Sequence, residues 1–231
     1  ARLAIPLPIA TGEHREWLPV YDLRKIQGEK LRVRYHTTRA RGGEPPFRLG
    51  PIPPHEPSDR RPAFHIHCRF GRLNDPNGLV YHKGVYHLFH QYAYGVRGKM
   101  WARYVSTDLV HWHERPIALF PDELGSMHSG SGAVDVFNTL GLKDAETPAI
   151  VLAYTGSRGL GGRDKFQVQC IGYSLDGGLN FTKYPGNPVI GLDHLKTLAG
   201  DNSRDPKIFW YSPTRGMDPT ARDGHWVMVL F

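Results

Sequence analysis

The feature that most restricts the fold of this chain is a series of short apolar runs separated by tight turns, from residue 63 onward. Lys83-Gly84 and the Gly-rich segment 174–178 have the composition of hairpin turns. The runs that predict strands are residues 79–82, 85–91, 149–154, 166–173, 180–184, 207–211 and 226–231. Hairpins that follow one another every ~40–50 residues are typical of β-propeller blades, and a β-sandwich is the competing architecture.

The composition agrees with an all-β or β-dominated globular protein. The 231 residues include 26 glycines and 19 prolines, and long apolar stretches with helical periodicity are absent. No run of apolar residues is long enough for a transmembrane helix, so the sequence predicts no membrane partner. The first residue is Ala1, and no signal peptide is recognisable, so we expect a mature product or a fragment of a longer protein.

The net charge of +7 is concentrated at the N-terminal end of the chain. Residues 1–62 contain 12 Lys and Arg against 7 Asp and Glu. A basic segment can contact an anionic surface, but no nucleic-acid-binding motif accompanies this one, which favours a solvated face and no nucleic-acid partner. The two cysteines, Cys68 and Cys170, form neither a disulfide framework nor a metal-binding spacing.

Two pairs of histidines raise the question of a metal site. His65 and His67, and likewise His111 and His113, place two imidazoles on one face of an extended segment. Neither pair has an acidic or cysteine partner at a familiar ligand spacing. The sequence therefore predicts no metal ion and no cofactor.

The chain divides into a smaller and a larger part. Residues 17–23 and 30–35 predict two strands, which are too few to be stable alone. We interpret residues 1–41 as a partial accessory β module and residues 42–62 as a Pro/Gly-rich linker. Residues 63–231 are then the N-terminal part of the propeller domain.

Two segments, residues 74–78 (Asn-Asp-Pro-Asn-Gly) and 204–206 (Arg-Asp-Pro), each place an aspartate before a proline. A residue before proline is held away from the helical conformation, which suggests that Asp75 and Asp205 are fixed on loops over a sheet. Taken alone, the first segment is also a good β-turn sequence, and an Arg beside an Asp is typical of a surface ion pair.

The residues between the two segments favour a sugar-binding site over an ordinary turn. Gln91 ends a predicted strand, Trp101 lies in a polar stretch, and Ser129 begins a Ser-Gly-Ser-Gly sequence. An amide, an aromatic face and small hydroxyl residues on loops are the groups that accompany carboxylates in sites that bind and cleave sugars.

Several segments resemble, in order along the chain, the motifs of glycoside hydrolase family 32, the family of invertases, inulinases and levanases. The segments are residues 65–79, 86–92, 105–112, 128–131 and 204–210. The last of them reads Arg-Asp-Pro-Lys-Ile-Phe-Trp and is very close to the family pattern. Residues 1–41 are similar to an accessory β module that precedes the propeller in some bacterial levanase-like members.

The resemblance implies a five-bladed β-propeller, of which this chain would supply the first two to three blades. It implies retaining hydrolysis of β-fructofuranosidic bonds in levan, inulin or sucrose. By position, Asp75 would be the nucleophile and Asp205 the transition-state stabiliser. A retaining enzyme needs an ionised carboxylate within ~5–5.5 Å of a protonated carboxyl group that acts as general acid. Asn74 would belong to the hydrogen-bonding shell of Asp75, and Arg204 would hold Asp205 ionised.

The resemblance also implies substrate-binding roles for residues between the two aspartates. Gln91 and Ser129 would bond fructose hydroxyls, and Trp101 would offer an apolar wall. Two positions depart from the family pattern. His128 replaces the usual Phe, which would make that wall more polar, and Arg103 follows Trp-Ala where Trp-Gly-His is usual, so we expect a bulky charge beside the pocket.

The largest departure is the general acid, which in the family is a Glu in a Glu-Cys motif downstream of Arg-Asp-Pro. This chain has no Glu after Glu146. Loss of a general acid costs typically ~10²–10⁴-fold in rate, so we expect the chain by itself to be an inactive partial catalytic domain. A non-catalytic sugar-binding propeller remnant and an inverting arabinanase-type propeller remain alternatives. Because fructan polymers lie outside cells, we expect an extracellular or periplasmic location.

Overall fold

The computed structural model describes residues 65–68, 71–93, 98–142, 148–159, 166–198 and 203–231. The predicted accessory module (1–41) and linker (42–62) lie outside these residues, so the domain boundaries stay predictions. The strands are β1 (Arg72–His82), β2 (Val85–Ala93), β3 (Lys99–Ser106), β4 (His113–Leu119), β5 (Ser126–Asp135), β6 (Ala149–Arg158), β7 (Phe166–Ser174), β8 (Thr182–Lys183), β9 (Lys207–Tyr211) and β10 (His225–Val229). The described part also contains helix α1 (Leu192–Leu198), and none of its helices could span a membrane.

The first sheet contains β1 to β4 in consecutive order, and each strand is antiparallel to the one before it. Lys83 and Gly84 form the turn from β1 to β2, with φ angles of +47° and +82°. Two positive φ angles match the right-handed twist of a hairpin, and glycine adopts such an angle without a steric penalty. The hairpin predicted around Lys83-Gly84 is therefore confirmed.

The second sheet contains β5 to β8 in the same consecutive order, and β9 pairs with β10 in a separate sheet. Nearly every residue of β6 is buried, as predicted for the apolar run 149–154. The predicted hairpins that contain β7 and β9 are also present, although β8 is only two residues long. Four-stranded meanders that follow one another are typical of propeller blades, so the described residues form two complete blades and the first pair of strands of a third.

The turn after the third strand is built in the same way in both complete blades. Ser106 Oγ donates to Asp108 Oδ1 over 3.0 Å, and Ser174 Oγ donates to Asp176 Oδ1 over 2.8 Å. The same Oδ1 atoms then accept hydrogen bonds from backbone N–H groups two to four residues further along. This repeated Ser-x-Asp turn marks two copies of one blade unit.

The two complete blades share one apolar core. Phe89 and Trp101 of the first blade pack with Ile150, Leu152 and Tyr154 of the second, and each of the five side chains is at most 1% exposed. The Trp101 ring centroid lies 5.9 Å from that of Phe89 and 6.2 Å from that of Tyr154. Burial of each such side chain stabilises the fold by about 1.5–3 kcal/mol, so this shared core holds the two blades together.

Candidate active site

Strand β5 contacts both β1 and β9, and it connects the two acidic segments. Ser129 Oγ donates to Oδ2 of Asp75, which lies in β1, over 2.6 Å. Two residues further along, Ser131 Oγ donates over 2.7 Å to the carbonyl oxygen of Pro206, the residue after the second aspartate. One strand thus brings together segments that are 130 residues apart in the sequence.

Asp75 and Ser129 both lie where the strand pairing is irregular. The β1–β2 register shifts within residues 73–76, and the β5–β6 register shifts within residues 127–130. Such a bulge bends the strand and turns a side chain out of the regular alternation. The expectation that these residues belong to loops is therefore wrong, because both lie in strands and the bulges direct their side chains.

Three hydrogen bonds connect the Asp75 carboxylate to the interior of the blades. Ser129 Oγ donates to Asp75 Oδ2, Gln91 Nε2 donates to Ser129 Oγ over 2.7 Å, and Lys99 Nζ donates to Gln91 Oε1 over 2.6 Å. Gln91 is 1% exposed, whereas Asp75 is exposed. The series of donors therefore ends at a carboxylate that solvent and substrate can reach.

Asp205 has a backbone φ of +56°, which is uncommon for a residue with a Cβ atom and even less usual before a proline. Its N–H donates to Thr155 Oγ1 over 3.0 Å. Arg204 Nε lies 3.4 Å from Asp205 Oδ2, and the backbone of Arg204 pairs with that of Phe231 in both directions. Non-glycine residues held in this conformation concentrate at functional sites, which supports a role for the Asp205 carboxylate.

His128 lies within electrostatic reach of both aspartates. Its ring is 9% exposed, and its Nε2 atom has no hydrogen-bond partner within the described residues. Burial lowers the pKa of His128, as do the charges of Lys99 and Arg204, while Asp205 and Asp75 oppose the shift. Both carboxylates thus lie within electrostatic range of the His128 imidazole, which favours one site that contains both of them.

Trp101 is a member of the core beside this site. Its Nε1 donates to the carbonyl oxygen of His128 over 2.9 Å, and its ring is 0% exposed. This bond holds the bulged segment of β5 against β3. Because the ring is packed inside the blades, its burial gives no support to the predicted role of Trp101 as an apolar wall for the substrate, which stays a prediction.

Two residues in contact with the candidate site, Asn77 and Lys99, are not among the residues that the sequence motifs single out. Asn77 Nδ2 donates to the carbonyl oxygen of Asp75 over 2.9 Å, and its Oδ1 accepts from the Gly130 N–H over 3.1 Å. The position of Asn77 in the Asn-Asp-Pro-Asn-Gly motif could have indicated this role, since an amide side chain can donate and accept hydrogen bonds at once. Lys99 lies in no motif. Asn74 is half-buried beside Asp75, and its donor role stays a prediction.

Arg103 is directed away from the site, contrary to the expectation that it lies beside the pocket. Its Nη1 and Nη2 atoms donate to the carbonyl oxygens of Gly178 and Leu179, the second over 3.2 Å. Its guanidinium carbon lies 5.2 Å from the centre of the Phe181 ring. Burial, with Arg115 nearby, lowers the pKa of Arg103 to about 10. Arg103 therefore joins the first blade to the β7–β8 turn of the second.

The sequence matches the family model described as "Glycosyl hydrolases family 32 N-terminal domain" over residues 65–230. The chain belongs to glycosyl hydrolase family 32. Membership of this family decides against the arabinanase-type alternative.

A levanase from Bacillus subtilis (strain 168) is 44% identical over 175 residues, which cover 74% of this chain and 23% of the levanase. An extracellular exo-inulinase from Aspergillus awamori is 39% identical over 173 residues, which cover 67% of this chain and 32% of the inulinase.

A solved family 32 structure agrees with the observed fold. A fructofuranosidase variant from Schwanniomyces occidentalis, complexed with fructosylnystose, superposes with a TM-score of 0.60 and 37% sequence identity. The match covers 74% of this chain and 31% of that chain. The chain thus spans less than a third of the length of these relatives, 23% of the levanase and 32% of the inulinase, in agreement with a partial set of blades. In the described segments, no group of three or more His, Cys, Asp or Glu could hold a metal ion.

Proposed function

We propose that the protein that carries this chain is a retaining glycoside hydrolase, which cleaves β-fructofuranosidic bonds in levan, inulin or sucrose. The main observation in favour is the exposed carboxylate of Asp75, which Ser129 and Gln91 orient. The strand that carries Ser129 also bonds the backbone of Pro206, next to the second aspartate. The similarity to a levanase and an exo-inulinase supports fructans as substrates.

Asp75 is the nucleophile in this proposal. The hydrogen bond that Ser129 donates to Oδ2 stabilises the negative charge and fixes the plane of the carboxylate. Oδ1 then forms a bond to the anomeric carbon while the glycosidic C–O bond breaks, and the leaving oxygen takes a proton from a general acid. We expect this acid to be a Glu elsewhere in the protein. Water then hydrolyses the fructosyl ester with the same Glu as base.

Asp205 stabilises the transition state. Its carboxylate, which lies 3.4 Å from Arg204 Nε, balances the positive charge of the oxocarbenium-like sugar and bonds its hydroxyl groups. The unusual backbone conformation of Asp205 and its hydrogen bond to Thr155 hold the carboxylate in place before substrate arrives.

Six further residues complete the proposed fructose-binding end of the site. Ser129 bonds a fructose hydroxyl, and Gln91, which is 1% exposed, contributes by orienting Ser129. The six candidates are Asn74, Gln91, Trp101, His128, Ser129 and Arg204.

Fructan polymers lie outside cells, and the exo-inulinase relative is named extracellular, so we infer an extracellular or periplasmic location.

The test is hydrolysis by the full-length protein that carries this chain. We expect fructose to be released from levan, inulin or sucrose, and NMR of the first product should show the β-anomer. Asp75→Asn should lower kcat by about 10⁴-fold or more, with unchanged circular dichroism. Release of the α-anomer, or an active Asp75→Asn variant, would contradict the proposal. Fructan binding without hydrolysis would instead support the sugar-binding remnant.

A further inference from the structure

Lys99 is the first donor in the series of hydrogen bonds that ends at Asp75. An ammonium group carries three donors and no acceptor, so it can contact only the oxygen of an amide. Lys99 Nζ lies 2.6 Å from Oε1 of Gln91. The NH₂ group of Gln91 therefore has to face Ser129, which it does over 2.7 Å.

The orientation of the amide in turn fixes the hydroxyl hydrogen of Ser129. Because Ser129 Oγ accepts a hydrogen bond from Gln91, its own hydrogen is directed to Asp75 Oδ2, 2.6 Å away. If the amide were reversed, the oxygen of Gln91 would face Ser129 and would compete with Asp75 for that hydrogen. A neutral residue at position 99 would allow both orientations.

The position of Lys99 keeps its ammonium inside this cluster. Its backbone pairs with Ala93 at the end of the β2–β3 ladder, and its N–H donates to Ser126 Oγ over 3.3 Å. Gln91 is 1% exposed, so water cannot readily replace a lost partner at its oxygen. The charge of Lys99 also reaches His128 and contributes to the lowered pKa of that imidazole.

We propose that Lys99 is a positioning residue of the fructoside-cleaving site, because it fixes the Gln91 amide and so commits the Ser129 hydroxyl to the Asp75 carboxylate. This role rests on the proposed function. Lys99 Nζ bonds Gln91 and acts on Asp75 only through it, so its loss lowers kcat more than it raises KM.

The experiment compares variants of the full-length protein with fructan or sucrose as substrate. Lys99→Met removes the donor at similar side-chain length, and kcat should fall about 10- to 100-fold. Lys99→Arg, which is also donor-only, should restore kcat to about a third of the wild-type value or more. Lys83→Met, in the exposed β1–β2 turn, is the matched control and should change kcat less than about twofold.

A double-mutant cycle separates positioning from general stabilisation. In a Gln91→Leu background, Lys99→Met should cause little further loss of kcat, since both residues act through one amide. Full additivity of the two losses, or a Lys99→Met variant as active as the control, would overturn the proposal.

Crystal structures of the wild type and Lys99→Met give a result that does not depend on catalysis. The distance from Ser129 Oγ to Asp75 Oδ2 should increase beyond hydrogen-bonding range in the variant, and an unchanged 2.6 Å bond would overturn the proposal. A wild-type protein without fructosidase activity would reject the proposed function alone, while this structural comparison would still decide the role of Lys99.

Discussion

Ser129 Oγ donates a 2.6 Å hydrogen bond to Asp75 Oδ2, although the two residues are 54 positions apart and lie in different blades. Ser131, two residues further along the same strand, instead bonds the backbone on either side of the β9 start, at Pro206 and Ile208. The two serines therefore have separate tasks, one at the proposed nucleophile and the other in the attachment of the third blade.

Replacement of each serine by alanine should separate activity from stability. Ser129→Ala should lower kcat about 10- to 100-fold, since the carboxylate loses its orienting donor. Ser131→Ala should lower the free energy of unfolding by about 1–3 kcal/mol, because two buried backbone groups lose their partner. Urea denaturation and steady-state kinetics on both variants provide the measurement, and an equal loss of stability in the two would contradict this division.

Two substitutions of Asp205 can separate the effect of its side-chain charge from the effect of its backbone conformation. Asn tolerates a φ near +56°, so Asp205→Asn should keep the stability of the wild type while kcat falls about 10²–10³-fold. Asp205→Ala removes the same charge and adds a conformational cost of about 1–2 kcal/mol. Thermal denaturation of the two variants should rank Asn above Ala, and the reverse order would argue against strain at this residue.

Gly130 is required by the close approach of β5 to β6. A Cβ atom at this position would overlap the carbonyl oxygen of Ala153, so Gly130→Ala should cost about 2 kcal/mol or more and displace Ser129. Gly191 is the matched control, because the nearest atom to its added Cβ, from Pro188, is 3.9 Å away. Calorimetry should show a lowered melting temperature for Gly130→Ala only.

His87 should make stability depend on pH. The side chain is 2% exposed, and burial, with Arg103 and His82 nearby, lowers its pKa to about 4. As the pH is lowered, His87 of the unfolded chain binds a proton near pH 6.5, whereas the buried His87 of the folded chain does not. The free energy of unfolding therefore falls as the pH is lowered from about 6.5 to 4, by at most about 3 kcal/mol.

A non-titrating variant tests this assignment. His87→Gln should flatten the pH dependence of the free energy of unfolding over that interval, since neither state then gains a proton at this position. His113→Gln, at an exposed position of β4, should leave the slope unchanged. Urea denaturation at several pH values gives both slopes, and parallel curves for wild type and His87→Gln would contradict the prediction.

Local sequence was sufficient for several strands and turns of the two blades. The buried run at 149–154 became β6, and the Lys83-Gly84 hairpin formed as predicted, because both depend on apolar content and turn chemistry within a few residues. β5 was not recognised as a strand. Its Ser-Gly-Ser-Gly sequence has low strand propensity, and it is held in place by neighbours on both sides.

The identity of the two aspartates was determined by the sequence, whereas their arrangement was decided by the tertiary structure. The ordered motifs around Asp75 and Asp205 were enough to identify the family, and they nominate both residues for the proposed site. Three features could not be predicted from the sequence alone. They are the bulges in β1 and β5, the series of hydrogen bonds that starts at Lys99, and the attachment of Arg103 to the second blade. They depend on strand register and on contacts between residues far apart in sequence, which arise only when the blades pack together.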